Sequence, residues 1–409
     1  MRRTLRLPAA LALASVSLSG CWLQVGYDAA HTRHNTLEST LNAAEAATLH
    51  QRWSVDLLAR SGEPLVRGNR VFVAAAGIDA SSFTRTDVQA YGAADGSLVW
   101  TRSFFGAGSD PIVWQPALAG DDLWTGYFML NTSGPRPTGS LAAPVRIDPD
   151  DGATVDPGTT RAGVTAPVEA GDLVAQVWIN VSSPVRQLVV RDKASLATSW
   201  TSTLNGAYEF LPGPPPSISD GQILVGDTTW LYSFPAVGCG ESTCSPTWSV
   251  DLGAQVTAVV APDGSPTVFV TRGTDLLAVD RATGATTWTA PLDVASAGIA
   301  VAGDSVYVAA GGVLAAYPAA GCGAATCPPT ASATLDAAAT SAPVVAAGVV
   351  YVGMAGEVQA FDTAQGPLAP VRTLPLANGA TAKNLAVANG QLHATTSLPS
   401  RLVAFAPEP

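Results

Sequence analysis

Two cysteine pairs, a histidine pair and an acidic loop are the residues whose types and spacing suggest chemistry. Cys239 and Cys244 stand in GCGESTC, and Cys322 and Cys327 stand in GCGAATC, each after a strand-like stretch, LYSFPAV or LAAYPAA. Thiols at matched spacing in an exported chain read as two disulfides, each closing a short hairpin tip. A redox or zinc role would more often use CxxC with a histidine close by, and neither pair has one. His31 and His34 form HxxH, two ligands without a third, so a surface role is expected of them. Asp148, Asp150 and Asp151 in DPDDG share features with a calcium loop but lack its remaining ligands, and a plain turn is expected. No GxSxG elbow, HExxH helix or GxxxxGK loop occurs, so neither catalytic nor metal-binding residues are assigned.

The elements that carry these residues are legible in Leu276–Trp288, LLAVDRATGATTW. Two apolar residues, the small Ala278, a turn from Asp280 to Gly284 and Trp288 describe a strand, a bulged type I turn and a returning strand. The same spacing places Ala90, Gly96 and Trp100 in VQAYGAADGSLVW, and Ala360 and Gly366 in VQAFDTAQG. Sliding the frame along the chain puts its alanine position at Ala90, Arg146, Val190, Ser233, Ala278, Ala316, Ala360 and Ala404, at intervals of 56, 44, 43, 45, 38, 44 and 44 residues. A period of this length with strand-turn-strand content predicts an all-β fold, an eight-bladed β-propeller of four-stranded antiparallel blades. The inner strands are expected to alternate apolar and polar residues.

Residues 53–57, WSVDL, repeat residues 248–252, and the last repeat runs through LVAFAPEP without an outer strand. The strand around Trp53 is therefore expected to close the ring by completing the C-terminal blade. Trp53, Trp100, Trp200, Trp248 and Trp288 are expected to pack between blades, with Ala331 at the equivalent place in one repeat. The 56-residue interval holds two loop-like insertions, Phe104–Pro116 and Asn131–Gly139, where a binding surface is expected.

Residues 1–20 have the form of a targeting segment: Arg2, Arg3 and Arg6 precede an apolar run from Leu7 to Leu18, too short to span a bilayer. Leu18-Ser19-Gly20-Cys21 resembles the lipobox of bacterial lipoproteins, in which the cysteine receives a diacylglyceryl group and becomes the mature N-terminus. That implies a signal peptide over 1–20, a lipidated leader over 21–46 with a short helix starting near Asn42, and the propeller over 47–409. Two acyl chains hold a protein on a membrane where one does not. Trp22 in place of Asp after Cys21 is similar to lipoproteins that leave the inner membrane where there are two. The chain is therefore expected to be exported and anchored to a cell membrane or outer membrane, facing the periplasm or the exterior. Net charge is −11, and −14 without residues 1–20, which hold three arginines and no acid. Such a balance argues against nucleic acid as a partner, since phosphate binding needs a basic surface.

The frame AxDxxTGxxxW, met in full by Ala278, Asp280, Thr283, Gly284 and Trp288, resembles the repeat of pyrroloquinoline-quinone-dependent dehydrogenases and their non-catalytic propeller relatives, among them the propeller lipoprotein of the outer-membrane β-barrel assembly machinery. The stretch Trp22–Asp28, continuing to His31, Thr32 and Asn35, looks like the segment that precedes such propellers. The dehydrogenases of the family hold the quinone under an adjacent Cys-Cys disulfide and over a tryptophan, with calcium beside a catalytic Asp. This chain has no Cys-Cys dipeptide, so neither the quinone nor calcium is expected. The expected function is a non-catalytic, lipid-anchored scaffold of the cell envelope that engages a protein or an envelope polymer. The alternatives are a quinone-dependent oxidoreductase and a propeller hydrolase with acids gathered at the axis.

Overall fold

The computed structural model describes residues 20–78, 84–106, 115–131, 138–156, 162–163, 165–180, 185–205, 213–364 and 368–408. Their strands form eight sheets that follow one another along the chain as the blades of a closed ring, antiparallel throughout except where His34–Asn35 adds in parallel to Val344–Ala346. Blade 5 is typical: Val256–Val260 is innermost, then Thr267–Arg272, Asp275–Asp280 and, outermost, Thr286–Pro291. Every position of the sequence frame lies on a third strand. Ala90 pairs with Trp100, Arg146 with Asp156, Val190 with Trp200, Ser233 with Trp248, Ala278 with Trp288, Ala316 with Ala331, Ala360 with Arg372, and Ala404 with Trp53. The last pairing is the ring closure, because His50–Asp56 is the outer strand of blade 8, against Arg401–Ala406.

The turn behaves as its residues require. Asp280 accepts from the backbone N (2.8 Å) and Oγ1 (2.7 Å) of Thr283, and these bonds hold its carboxyl below the usual range. Gly284 has φ +76, and the register shifts by a bulge between Ala278 and Val279. DPDDG is a turn of the same kind, with Asp148 Oδ1 accepting from the Asp150 N–H at 2.7 Å. Gly366 lies outside the described residues.

The strand pattern differs from the expected alternation. The second and third strands of blade 5, TVFVTR and DLLAVD, are buried at every interior residue, whereas the outer strand alternates. Both faces of a blade are covered by its neighbours, so middle strands read as continuous apolar runs and only the rim sees water.

Each of the five rim tryptophans lies on a positive-φ glycine of the following blade. An added Cβ would come within 2.7 Å of Trp53 at Gly96, 2.8 Å of Trp100 at Gly152, 2.6 Å of Trp200 at Gly238, 2.6 Å of Trp248 at Gly284 and 2.7 Å of Trp288 at Gly321. Trp53, Trp100 and Trp248 also donate through Nε1 to Ala93 O, Pro149 O and Arg281 O at 2.9, 3.0 and 2.9 Å. The cysteines are bonded as Cys239–Cys244 and Cys322–Cys327. Each disulfide loop also reaches across to the outer strand of the preceding blade: Thr201 N donates to Ser242 O and Cys244 N to Thr201 O, and Thr289 does the same with Ala325 and Cys327.

His393 stands where five of the other blades carry Phe72, Trp124, Phe269, Tyr307 or Tyr351 and the remaining two carry Ala175 and Leu224. It is wholly buried, 5.9 Å from the Trp53 ring, and neither ring nitrogen has a hydrogen-bond partner. Burial pushes its imidazole down to about 3.

Two outcomes follow for stability. Gly303 has φ +56 with nothing near its missing Cβ, so Gly303→Ala meets only the left-handed backbone strain, about 1 kcal/mol. Gly284→Ala adds the Trp248 overlap and is expected to cost about 1–3 kcal/mol more in urea unfolding. The His393 imidazole titrates near 6.5 once unfolded, so below that pH the unfolded chain binds the extra proton, and stability falls with pH down to the folded value. Between pH 7 and pH 5 the parent is expected to lose about 2 kcal/mol more than His393→Phe, read from the shift in urea midpoint.

Candidate functional site

The axis of the ring holds the leader. Residues 22–35 run once around the channel and meet the innermost strand of every blade in turn. Trp22 exchanges two 2.8 Å backbone bonds with Val66, and Leu23 O accepts from Leu118 N at 2.7 Å. The Gln24 amide brackets Glu169, donating to its O at 3.0 Å and accepting from its N at 2.8 Å. Ala29, Ala30, Thr32 and Arg33 then accept through their carbonyls from Ile218, Ala261, Val301 and Val345 at 2.7, 3.0, 2.9 and 2.8 Å. Asn35 Nδ2 donates to Val387 O of blade 8 at 2.7 Å. These partners lie near the turn that joins first to second strand, so the leader sits toward the face formed by those turns, the leader face. The expected short helix follows at Ala43–Ala46, with the Asn42 side chain accepting from Ala44 and Glu45 N–H groups.

Two polar centres fix the leader. Glu63, 1 % exposed, accepts from Trp22 Nε1 (2.8 Å), Gly26 N (2.7 Å) and Arg33 Nη1 (2.9 Å). His31 is buried between two carbonyls, Val25 O at 2.7 Å and Pro216 O at 2.8 Å, which corrects the surface role expected of it. Burial lowers its imidazole, against the pull of the two carbonyls and of Asp28. Asp28 is raised by burial, against its bonds from Thr32 N (2.9 Å) and Oγ1 (2.5 Å).

Above the leader, toward the opposite or funnel face, lies an axial cavity of about 380 Å³. Its floor is Val25 and Arg33, and its walls include Gln115, Thr165, Gln255, Thr257 and Asn384 at the starts of innermost strands. Nothing in the sequence marks this site: Arg33 and Glu63 sit in no motif, and the leader over 21–46 is expected apart from the propeller over 47–409. Of the two insertions expected to build a surface, 107–114 and 132–137 lie outside the described residues, but Gln115 at the end of the first does line the cavity. Cys21, the remaining cysteine, is half-buried at the other end of the channel, with its carbonyl accepting from Asn35 Nδ2 at 3.3 Å.

The cavity can receive a small polar group through amides, hydroxyls and the one guanidinium. It is not the cradle that a quinone of the resembled enzymes requires. Among the described residues no cysteine or tryptophan lines it, its one carboxylate, Glu63, is already held by three donors, and no cluster of three or more His, Cys, Asp or Glu residues is placed to bind a metal. The four paired cysteines lie at outer hairpin tips instead.

Residues 237–406 match the family model described as outer membrane protein assembly factor BamB. No curated protein sequence matches the chain. Among solved structures, quinohemoprotein alcohol dehydrogenase from Comamonas testosteroni is similar over 97% of this chain and 83% of its own, with TM-score 0.67 and 13% identity. A europium-containing methanol dehydrogenase follows over 96% and 99%, with TM-score 0.66 and 12% identity. BamB from Moraxella catarrhalis is similar over 88% and 97%, with TM-score 0.57 and 18% identity. At these identities the likeness is one of fold.

Glu63→Gln keeps the shape of the latch but leaves Arg33 without its ion partner. The leader is then expected to open locally, raising the rate of tryptic cleavage after Arg33 by about tenfold or more while the circular dichroism of the ring is retained. An unchanged cleavage rate would show that Glu63 does not hold the leader.

Proposed function

We propose that this propeller of the pyrroloquinoline-quinone-like repeat family is a non-catalytic, lipid-anchored binding module of the cell envelope, which engages a protein or an envelope polymer at its funnel face. The observation that carries this reading is the leader. The chain's own residues 22–35 occupy the axis of the ring and bond to all eight blades, leaving a polar cavity whose lining lacks the sandwich and metal ligands of the resembled enzymes. Exposed apolar side chains on the funnel face, Ile78, Val294, Val313 and Leu398, support that face as the docking side. The BamB match supports a protein partner, since the matched relative is named an assembly factor. Cys21 supports the anchor, because the four residues ending in it follow a basic and then an apolar segment.

Titration calorimetry of the purified protein with pyrroloquinoline quinone and calcium tests the reading directly. No saturable heat is expected, and photo-cross-linkers at Val313 and Leu398 are expected to capture one envelope component that a cross-linker at Asp121, on the leader face, does not. Saturable one-to-one binding followed by dye reduction with an added alcohol overturns the reading and makes the chain an oxidoreductase.

A further inference from the structure

The path of the leader determines which face of the ring a membrane would meet. Trp22 is fully buried and bonded in both directions to Val66, so Cys21 is the immediate neighbour of a residue fixed to the ring, about 3.8 Å from it along the chain. Cys21 lies on the leader face: the Asn35 amide that donates to its carbonyl also donates to Val387 O, which leads into the turn at Asn389 between the first and second strands of blade 8. Asn389 Nδ2 in turn donates to Gly68 O, in the equivalent turn of blade 1. The cavity, by contrast, opens among the starts of the innermost strands, at the other end of the axis.

We infer that the leader face is a lipid-contacting surface, with the turns of blades 8 and 1 seated at the headgroups and the cavity mouth directed away from the bilayer. The inference rests on the reading of Cys21 as the lipid anchor. An anchor on a long spacer would let the ring tumble, whereas an anchor one residue from a bonded strand holds one face down. Charge sets how the face sits. Arg67 and Arg70 flank the blade 1 turn beside the anchor, but Arg70 is paired with Asp150 at 3.3 Å and Asp95 lies in the next turn of blade 1 on the same face, while Asp121, Asp172, Asp220, Asp263 and Asp304 occupy the corresponding turns of blades 2 to 6. The face is therefore acidic on balance, so anionic lipid repels it and contact across the whole face is expected only on zwitterionic lipid. The acidic turns also explain why the anchor must supply the affinity. Among the described residues its exposed large apolar side chains are scattered, Leu98 and Val237 lying in turns of blades 1 and 4.

The test uses the full acylated chain in phosphatidylcholine vesicles carrying a headgroup nitroxide quencher. An environment-sensitive fluorophore is placed on Asn69→Cys, in the blade 1 turn of the leader face, or on Leu398→Cys, 85% exposed in the second-to-third-strand turn of blade 8 on the funnel face. The expected result is roughly twofold quenching of the Asn69→Cys probe and none of the Leu398→Cys probe. Equal quenching, or quenching of the Leu398→Cys probe alone, overturns the inference. Flotation of the Cys21→Ala variant with the same vesicles separates this from failure of the anchor reading. If that variant floats as the parent does, the anchor reading fails and the inference falls with it; if only the parent floats and the probes do not differ, the inference alone fails.

Discussion

The contact on which this ring depends is a tryptophan lying on the backbone of the next blade's turn. An indole can approach that closely only where the turn residue has no Cβ and takes a positive φ, so at these five junctions one residue of a blade is dictated by its neighbour. The correlation holds where it is broken. In blade 2 the outer strand has Asp156 in place of the tryptophan, and the equivalent turn residue of blade 3 is Leu196, at φ +60. Leu196 packs against the cluster of Trp124 and Val174 on the second strands of blades 2 and 3, so where the rim tryptophan is missing a leucine replaces the glycine that would have received it. In blade 7 the place is taken by Arg372, facing blade 8, which has no such turn because its third and outer strands come from opposite ends of the chain.

Much of the fold was legible for this reason. The Ala278, Gly284 and Trp288 spacing repeats because every blade meets the same two neighbours, and closure through Trp53 followed from WSVDL occurring once more than the third strands before it required. What the spacing could not express was direction. Gly96 and Trp100 sit in one repeat of the sequence, yet Gly96 receives Trp53 and Trp100 lies on Gly152. The disulfides were legible as pairs for a local reason, two thiols five residues apart, but the second role of their loops was not. Thr201 and Thr289, each one residue beyond a rim tryptophan, accept and donate backbone bonds to those loops, and a backbone bond leaves no mark on composition.

The same limit explains the candidate site. The leader joins the ring almost wholly through its carbonyls and through inner-strand N–H groups, which any sequence supplies. Its few side-chain marks, Gln24, Arg33, Asn35 and the distant Glu63, come together only after the chain has circled the axis once. His31 illustrates the consequence. HxxH in a polar stretch suggested a solvent-facing residue, but a leader that lines a channel buries what a leader on the surface exposes.

The two mouths of a propeller channel are framed by different turns, and in an open ring a ligand could enter by either. Here the leader removes that choice. By bonding near the first turn of each blade it fills one end of the channel, so a ligand of the cavity above Arg33 has one direction of entry. The segment that fills the channel is also the one that ends at Cys21, so the filled end and the proposed anchored end are the same end for a covalent reason. Under that proposal, occupying the axis and orienting the ring are one structural act of fourteen residues, and the short tether belongs to it, since a longer one would uncouple the two.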